Sequence, residues 1–322
     1  MKCAAALAVM FAAQLATAQQ SVIPATGCLF GIHAQSPDFK KDFTSDMNAL
    51  LAAEAMVRRR FDVDRQYYTW DDVFPSVYDS WTSSQGRLPF LSWYPGRGNQ
   101  TPVRWASIAA GAEDATVNAR ADDCKNFGSL IVLTFHHEPE NQVDKPAIPI
   151  NGTTADFIAA FRHIVQQFRA RGATNVLFCV ILYASDYKDG SVANFYPGDD
   201  VIDILGGDGY NFYPDRPEWV SFGQVFNGMH NFAVAHGKPA FVAEYGCQED
   251  PAVPNRRAQW IADAEATVKV WPEFKALCYF EATADYNWRL ETTTSAVNAF
   301  IAMGADPYFN VHFRPKHRAA KH

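Results

Sequence analysis

The sequence predicts a single (β/α)8 barrel, and three observations carry that reading. Eight short β-rich apolar runs recur along the 322 residues. Helix-like segments with caps and 3.6-residue periodicity lie between them. No linker, repeat or low-complexity tract divides the chain, so the strand–helix alternation belongs to one domain.

The predicted strands are residues 28–34, 55–63, 88–95, 129–137, 175–184, 201–210, 239–246 and 276–282. Among the helices, "TSDMNALLAAEA" starts from Thr44 or Ser45 as a cap. "TTADFIAAFRHIVQQFRARG" puts Phe157, Phe161, Ile164 and Phe168 on one face and stops at Gly172. "SFGQVFNGMHNFAVAHG" stops at Gly237, and "NRRAQWIADAEATVKVWP" stops before Pro272. A doubly wound open sheet is the rival architecture, but "GIHAQSPD" after the first strand is not a Gly-rich phosphate turn.

Both ends of the chain read differently from this core. Lys2, the apolar "CAAALAVMFAAQLA" and the small residues Ala16, Thr17 and Ala18 predict a signal peptide over residues 1–18, hence a secreted protein. Residues 19–312 form the predicted catalytic domain, and 313–322 a basic polar tail. Beyond Ala18 stand Cys28, Cys124, Cys179, Cys247 and Cys278, an odd set that fits no zinc spacing and leaves disulfide pairing open. Asn99 and Asn151 sit in N-x-T acceptor sequences.

Composition bounds the function. The chain is 48% hydrophobic and 14% aromatic, with a formal net charge of −7. An acidic protein without a basic block does not suit nucleic acid or an anionic membrane. A monomer is expected. The same charge would repel a polyanionic glycan and not a neutral polysaccharide or oligosaccharide, and the flat aromatic rings suit stacking on a sugar or a base.

In a barrel, the C-terminal ends of the strands carry the site. Strand four, "LTFHHEPEN", delivers His136, His137 and Glu138 to that rim, and strand seven, "VAEYG", delivers Glu244. Two facing carboxylates are what glycoside hydrolysis requires, one as acid and one as nucleophile or base. His33, Trp93, Tyr210 and Trp288 stand at or just beyond other strand ends. From the run Arg58–Arg60, Arg60 is the candidate guanidinium beside the nucleophile. No metal and no cofactor is expected, because adjacent strand residues point to opposite faces and "HHE" does not converge on one ion.

"FHHEPEN" and "VAEYG", with "GDGYNF" and "NWRLETTTSAVNAF", resemble the motifs of glycoside hydrolase family 26 in clan A, which contains the β-mannanases. The resemblance runs loosely over residues 28–303. It implies retaining endo-hydrolysis of a β-linked polysaccharide, with Glu138 as acid/base and Glu244 as nucleophile. It further implies that His137 orients the site, Tyr210 hydrogen-bonds Glu244, and Trp93 and Trp288 line the sugar subsites. Where the family's mannanases carry a Gly- and Trp-rich stretch, this chain has "PENQVDKPAIPINGT". That departure bears on the sugar and leaves the catalytic pair untouched; the family resemblance itself places mannan first, with xylan and β-glucan as alternatives on the same mechanism. A non-catalytic exported glycan-binding barrel and a metal-dependent barrel hydrolase are the competing classes.

Overall fold

A computed structural model of the chain describes residues 23–99, 101–144, 151–311 and 313. The predicted signal peptide lies outside these residues, as does the tail after Phe313. Phe313 itself is buried and packs with the cluster inside the barrel.

Eight parallel strands close into a barrel in sequence order. They are β1 (Leu29–Ala34), β2 (Val63–Tyr68), β3 (Leu88–Trp93), β4 (Ile131–Phe135), β5 (Val176–Tyr183), β6 (Ile204–Asn211), β7 (Ala240–Cys247) and β8 (Phe274–Glu281). Closure runs through β1 and β8, paired from Leu29↔Ala276 to Ala34↔Glu281. The helices are α1 (Phe43–Val57), α2 (Val77–Ser84), α3 (Trp105–Ala109), α4 (Asp114–Phe127), α5 (Glu140–Asp144), α6 (Thr154–Arg171), α7 (Ala184–Asp189), α8 (Phe222–His236), α9 (Arg256–Val270) and α10 (Thr294–Ala305).

Local chemistry explains the boundaries. Thr153 and Asp156 form a capping box that starts α6, and Gly172 ends it in the left-handed conformation at φ 78°. The predicted face of α6, Phe157, Phe161, Ile164 and Phe168, is wholly buried, each side chain contributing about 1.5–3 kcal/mol relative to exposure. Ser221 with Gln224 starts α8 in the same way, and Gly237 stops it. At α1 the cap is Asp42, two or three residues earlier than Thr44 or Ser45, which instead donate their backbone N–H groups to it.

Strand two departs from the sequence reading. Residues 55–57 are the last turn of α1, where Val57 continues the buried stripe of Leu50 and Ala53, and Arg58 caps the helix at φ 60°. The strand begins at Val63. This shift decides which arginine reaches the site.

Two apolar cores result. One fills the barrel with Leu29, Val63, Phe90, Val132, Ile181 and Phe241, among others. The other lies between strands and helices. All five cysteines after residue 22 are buried and free. Asn99 is exposed, but Asn151 is fully buried and donates its amide to the Pro95 and Val103 carbonyls, so the folded chain presents no glycan acceptor there. No helix among the described residues is long and apolar enough to cross a membrane.

Candidate active site

β4 ends because the backbone turns sharply at its last polar residues. His136 and Glu138 both adopt φ 50°, a left-handed conformation that costs a non-glycine residue about 1–3 kcal/mol. The turn is gripped from both sides: His136 N donates to the Trp93 carbonyl of β3, and Glu138 N to the Ile181 carbonyl of β5. His136 points away from the mouth, and its Nδ1 accepts from Trp105 Nε1 at 3.0 Å. His137 and Glu138 face the mouth and remain half-buried. Burial, then the nearby Arg65, pushes the His137 pKa down to about 3, so its ring is neutral.

Glu138 accepts from Asn141 Nδ2 at 2.8 Å and from the Tyr183 hydroxyl. Glu140 does not enter the site directly. It is fully buried, accepts from Tyr183 N at 2.9 Å, and burial raises its pKa well above the ordinary carboxyl value. It ties the start of α5 to β5 and so supports the loop that carries Glu138.

Glu244 reaches the interior through an irregularity in β7. Gly207 and Asp208 of β6 are consecutive, yet they pair with Val242 and Glu244, skipping Ala243. Simple alternation from Phe241 and Ala243, both inside the barrel, would aim Glu244 outward. The extra residue re-aims it inward beside Asp208, as bulges next to active sites do.

Three groups fix the Glu244 carboxylate. Tyr67 donates to Oε1 at 2.6 Å and Tyr210 to Oε2 at 2.5 Å. Burial, followed by the charge of Glu244, raises both phenol pKa values well above their ordinary value, so both hydroxyls keep their protons and act as donors. Arg65 Nη2 stands 3.9 Å from Oε1. Arg65 is fully buried, bonds Ser92 Oγ at 2.7 Å, and lies against the rings of Tyr67 and Phe90.

A third carboxylate completes the floor. Asp208 is buried, and neither of its oxygens has a hydrogen-bond partner. Burial, then Glu244 and Glu138, raises its pKa well above the carboxylate range. One oxygen each from Glu138, Asp208 and Glu244 lies within 4.8 Å of the other two.

The remaining sequence candidates divide. His33 bonds the Arg65 carbonyl through Nδ1 at 2.9 Å and meets the Tyr67 ring edge-on, which buttresses the β2 residues that hold Glu244. Burial lowers its pKa to about 4. Trp288 packs on Tyr210 with ring centroids 4.5 Å apart, but it is only 3% exposed. Its carbonyl accepts from Tyr279 at 2.7 Å and from Arg257, so it backs Tyr210 and presents almost no surface of its own. Outside that set, Glu281 at the end of β8 accepts from Leu290 N and holds the loop that follows.

Two candidates are not brought to the site. Trp93 is fully buried and stacked at 4.2 Å on Trp70 in the layer between sheet and helices. Its neighbour Ser92 faces inward to Arg65, so alternation sends Trp93 outward. Arg60 precedes β2, at the opposite end of the barrel, where it is exposed and bonds the Gln85 carbonyl. Arg65 occupies the position expected of Arg60. A strand starting at residue 55 hides both Arg65 and Tyr67; "VDRQYY" read from Val63 puts Val63, Arg65 and Tyr67 on one face. Asp208 lies within the predicted sixth strand, residues 201–210, and nothing local announces a carboxylate buried without a donor.

No family profile matches the chain. It is 29% identical over 269 residues to endoglucanase H of Acetivibrio thermocellus, covering 80% of this chain and 29% of that protein. It is 25% identical over 211 residues to the beta-1,3-xylanase TXYA of a Vibrio species, covering 57% of this chain and 42% of that one. The chain thus spans less than half the length of either relative. Solved structures of similar fold include a GH26 β-mannanase from Bacteroides ovatus, at TM-score 0.63 and 16% identity over 93% of both chains. The catalytic domain of a GH26 endo-β-1,4-mannanase from Bacillus sp. JAMB-750 matches at TM-score 0.65 and 15% identity, also over 93% of both. The resemblance to glycoside hydrolase family 26 drawn from the motifs extends to the fold.

Proposed function

We propose that the protein is a retaining endo-glycoside hydrolase of a neutral β-linked polysaccharide. The observation that carries the reading is the convergence of Glu138 and Glu244, from different strands, with carboxylate oxygens within 4.8 Å at the C-terminal mouth of a closed barrel. Inverting enzymes hold their carboxyls ~6.5–9.5 Å apart to admit a water, whereas retaining enzymes hold them ~5–5.5 Å apart. The spacing here supports retention.

Roles follow from the surroundings. Glu244 accepts two phenol hydrogen bonds beside a buried guanidinium, so its carboxylate is aimed and immobile. It attacks the anomeric carbon. Glu138, half-exposed at the mouth, gives its proton to the glycosidic oxygen as the bond breaks. The leaving sugar departs, and water enters. Glu138 then takes a proton from that water, which displaces Glu244 from the glycosyl-enzyme. A glycan-binding barrel needs an aromatic platform but has no use for Tyr67, Tyr210 and Arg65 gathered on one carboxylate.

For the polymer we place β-glucan first. The sequence relative covering most of this chain bears the name endoglucanase. The mannanases share the fold at 15–16% identity, which says little of the sugar. Trp93 and Trp288 are both buried, so neither supplies the stacking surface expected of it, and that loss does not distinguish one neutral sugar from another. Mannan stands second because the catalytic motifs resemble those of family 26. Secretion, with cleavage after Ala18, and a monomeric state are part of the same reading.

The test is a screen of mixed-linkage β-glucan, glucomannan, galactomannan and β-1,3-xylan with product sizes recorded. Short oligosaccharides from β-glucan, abolished in Glu138→Ala and Glu244→Ala, support the proposal. Cleavage of mannan alone keeps the mechanism and overturns the substrate. No cleavage of any of the four overturns the hydrolase.

A further inference from the structure

Asp208 is not explained by the two-glutamate mechanism. It is 2% exposed, both oxygens lack a donor, and one of them lies within 4.8 Å of an oxygen of each catalytic carboxylate. Leaving such a group uncompensated is costly, so its oxygens must be met by a proton or a cation.

We propose that Glu138, Asp208 and Glu244 form a binding site for one hard divalent cation, with Ca²⁺ as the reference ion, occupied in competition with the sugar. The proposal rests on this cluster being the catalytic centre only for its inhibitory consequence; binding itself needs no substrate.

Geometry, charge and ligand type agree. One oxygen from each carboxylate lies within 4.8 Å of the others. Three oxygens mutually 4.8 Å apart leave a central point about 2.8 Å from each, so side-chain shifts of roughly 0.2–0.5 Å bring all three to the ~2.3–2.6 Å of Ca–O contacts without the strands moving. If all three are ionised they carry three negative charges, and Arg65 supplies one positive charge. His33 and His137 add none, since burial keeps both rings neutral. Two negative charges remain, which two protons or one divalent cation would balance. All the donors are oxygens, which selects hard ions over soft ones. Glu138 forms the partly open side, through which the ion enters and retains water.

The two occupants have opposite effects. With protons in the cluster, Glu138 can act as acid and Glu244 stays free to attack. With a cation, the same oxygens are coordinated, neither step proceeds, and the sugar is excluded.

Calcium chloride titrated into the purified full chain by calorimetry, with parallel thermal melts, tests the site. One saturable site of Kd ~10⁻⁴–10⁻³ M, the range of extracellular calcium modules, is expected, with a concentration-dependent rise in Tm. Asp208→Asn should weaken binding at least tenfold. Glu138→Gln, at the partly exposed end, should do the same and carries the test if Asp208→Asn does not fold. Against an active enzyme, calcium should raise KM and leave kcat unchanged. No saturable heat and no Tm shift up to ~10 mM, or unchanged affinity in both variants, overturns the proposal. Hydrolysis persisting in that case leaves the enzymatic reading intact. Calcium bound by the wild type and lost in the variants, with no polysaccharide cleaved, removes the enzymatic reading and keeps the cation site.

Discussion

Replacing Tyr210 by Phe deletes one hydroxyl and little else. The ring keeps its packing on Trp288 and Phe212, and its oxygen makes a single hydrogen bond, to Glu244 Oε2 at 2.5 Å. That bond joins a neutral donor to a charged acceptor in a buried place, a type worth about 1.5–3 kcal/mol. Glu244 would keep Tyr67 on its other oxygen, with Arg65 at 3.9 Å, so it would remain in place but less well aimed. At ~1.36 kcal/mol per decade, the loss corresponds to a fall of roughly ten- to 150-fold in kcat/KM. The assay is steady-state hydrolysis of a soluble β-glucan or glucomannan, paired with a thermal melt. The melt should move by no more than a few degrees, because no buried volume is lost. Unaltered kinetics would refute the claim that this hydroxyl holds the nucleophile. A collapse of Tm with proportionate loss of activity would show that Tyr210 serves packing instead.

Other perturbations separate site from scaffold. Arg65→Met should abolish turnover, while Arg60→Ala should leave kcat and KM unchanged; the reverse would restore the arginine first expected at the mouth. Trp93→Ala should cost about 3–5 kcal/mol of stability through the cavity beside Trp70, measured by urea unfolding. A selective rise in KM at unchanged stability would contradict its place in the wall. Asp64 provides a pH test away from the catalytic centre: it is buried, bonded by Gln66 and Tyr78, and burial raises its pKa to about 7. Its unfolded value is near 3.8. Between these values the unfolded chain has released the proton that the folded chain retains, so stability is lost as pH rises. Asp64→Asn, which mimics the protonated form, should therefore gain on the wild type by roughly 4 kcal/mol between pH ~4 and ~7. A pH-independent difference in denaturant melts would refute the assignment.

Much of this was readable from the chain because it is local. The polar ends of strands four and seven stand out against apolar runs, and the stripe of α6 follows from its periodicity. Strand two was misplaced because the last turn of α1, Ala55–Val57, has the same apolar signature as a strand, and nothing local marks Arg58 as a left-handed cap. Trp93 was misread because the inward parity of β3 is set by Phe90 and Ser92, which only the paired sheet shows. Glu244 reached the site despite alternation, through an extra residue whose presence depends on the register with β6. Asp208 was out of reach for another reason: its chemistry lies in the absence of any donor, a property of the packed interior.

The central claim is that Glu138 and Glu244 act by double displacement. Proton NMR of the first products from a β-linked oligosaccharide tests it most directly, recorded before the reducing ends equilibrate. Retention, with the β-anomer appearing first and the α-anomer growing in only by mutarotation, is the result expected from carboxylates this close. The α-anomer appearing first would mean a water attacks across a wider gap, and the assignment of Glu244 as nucleophile would be wrong.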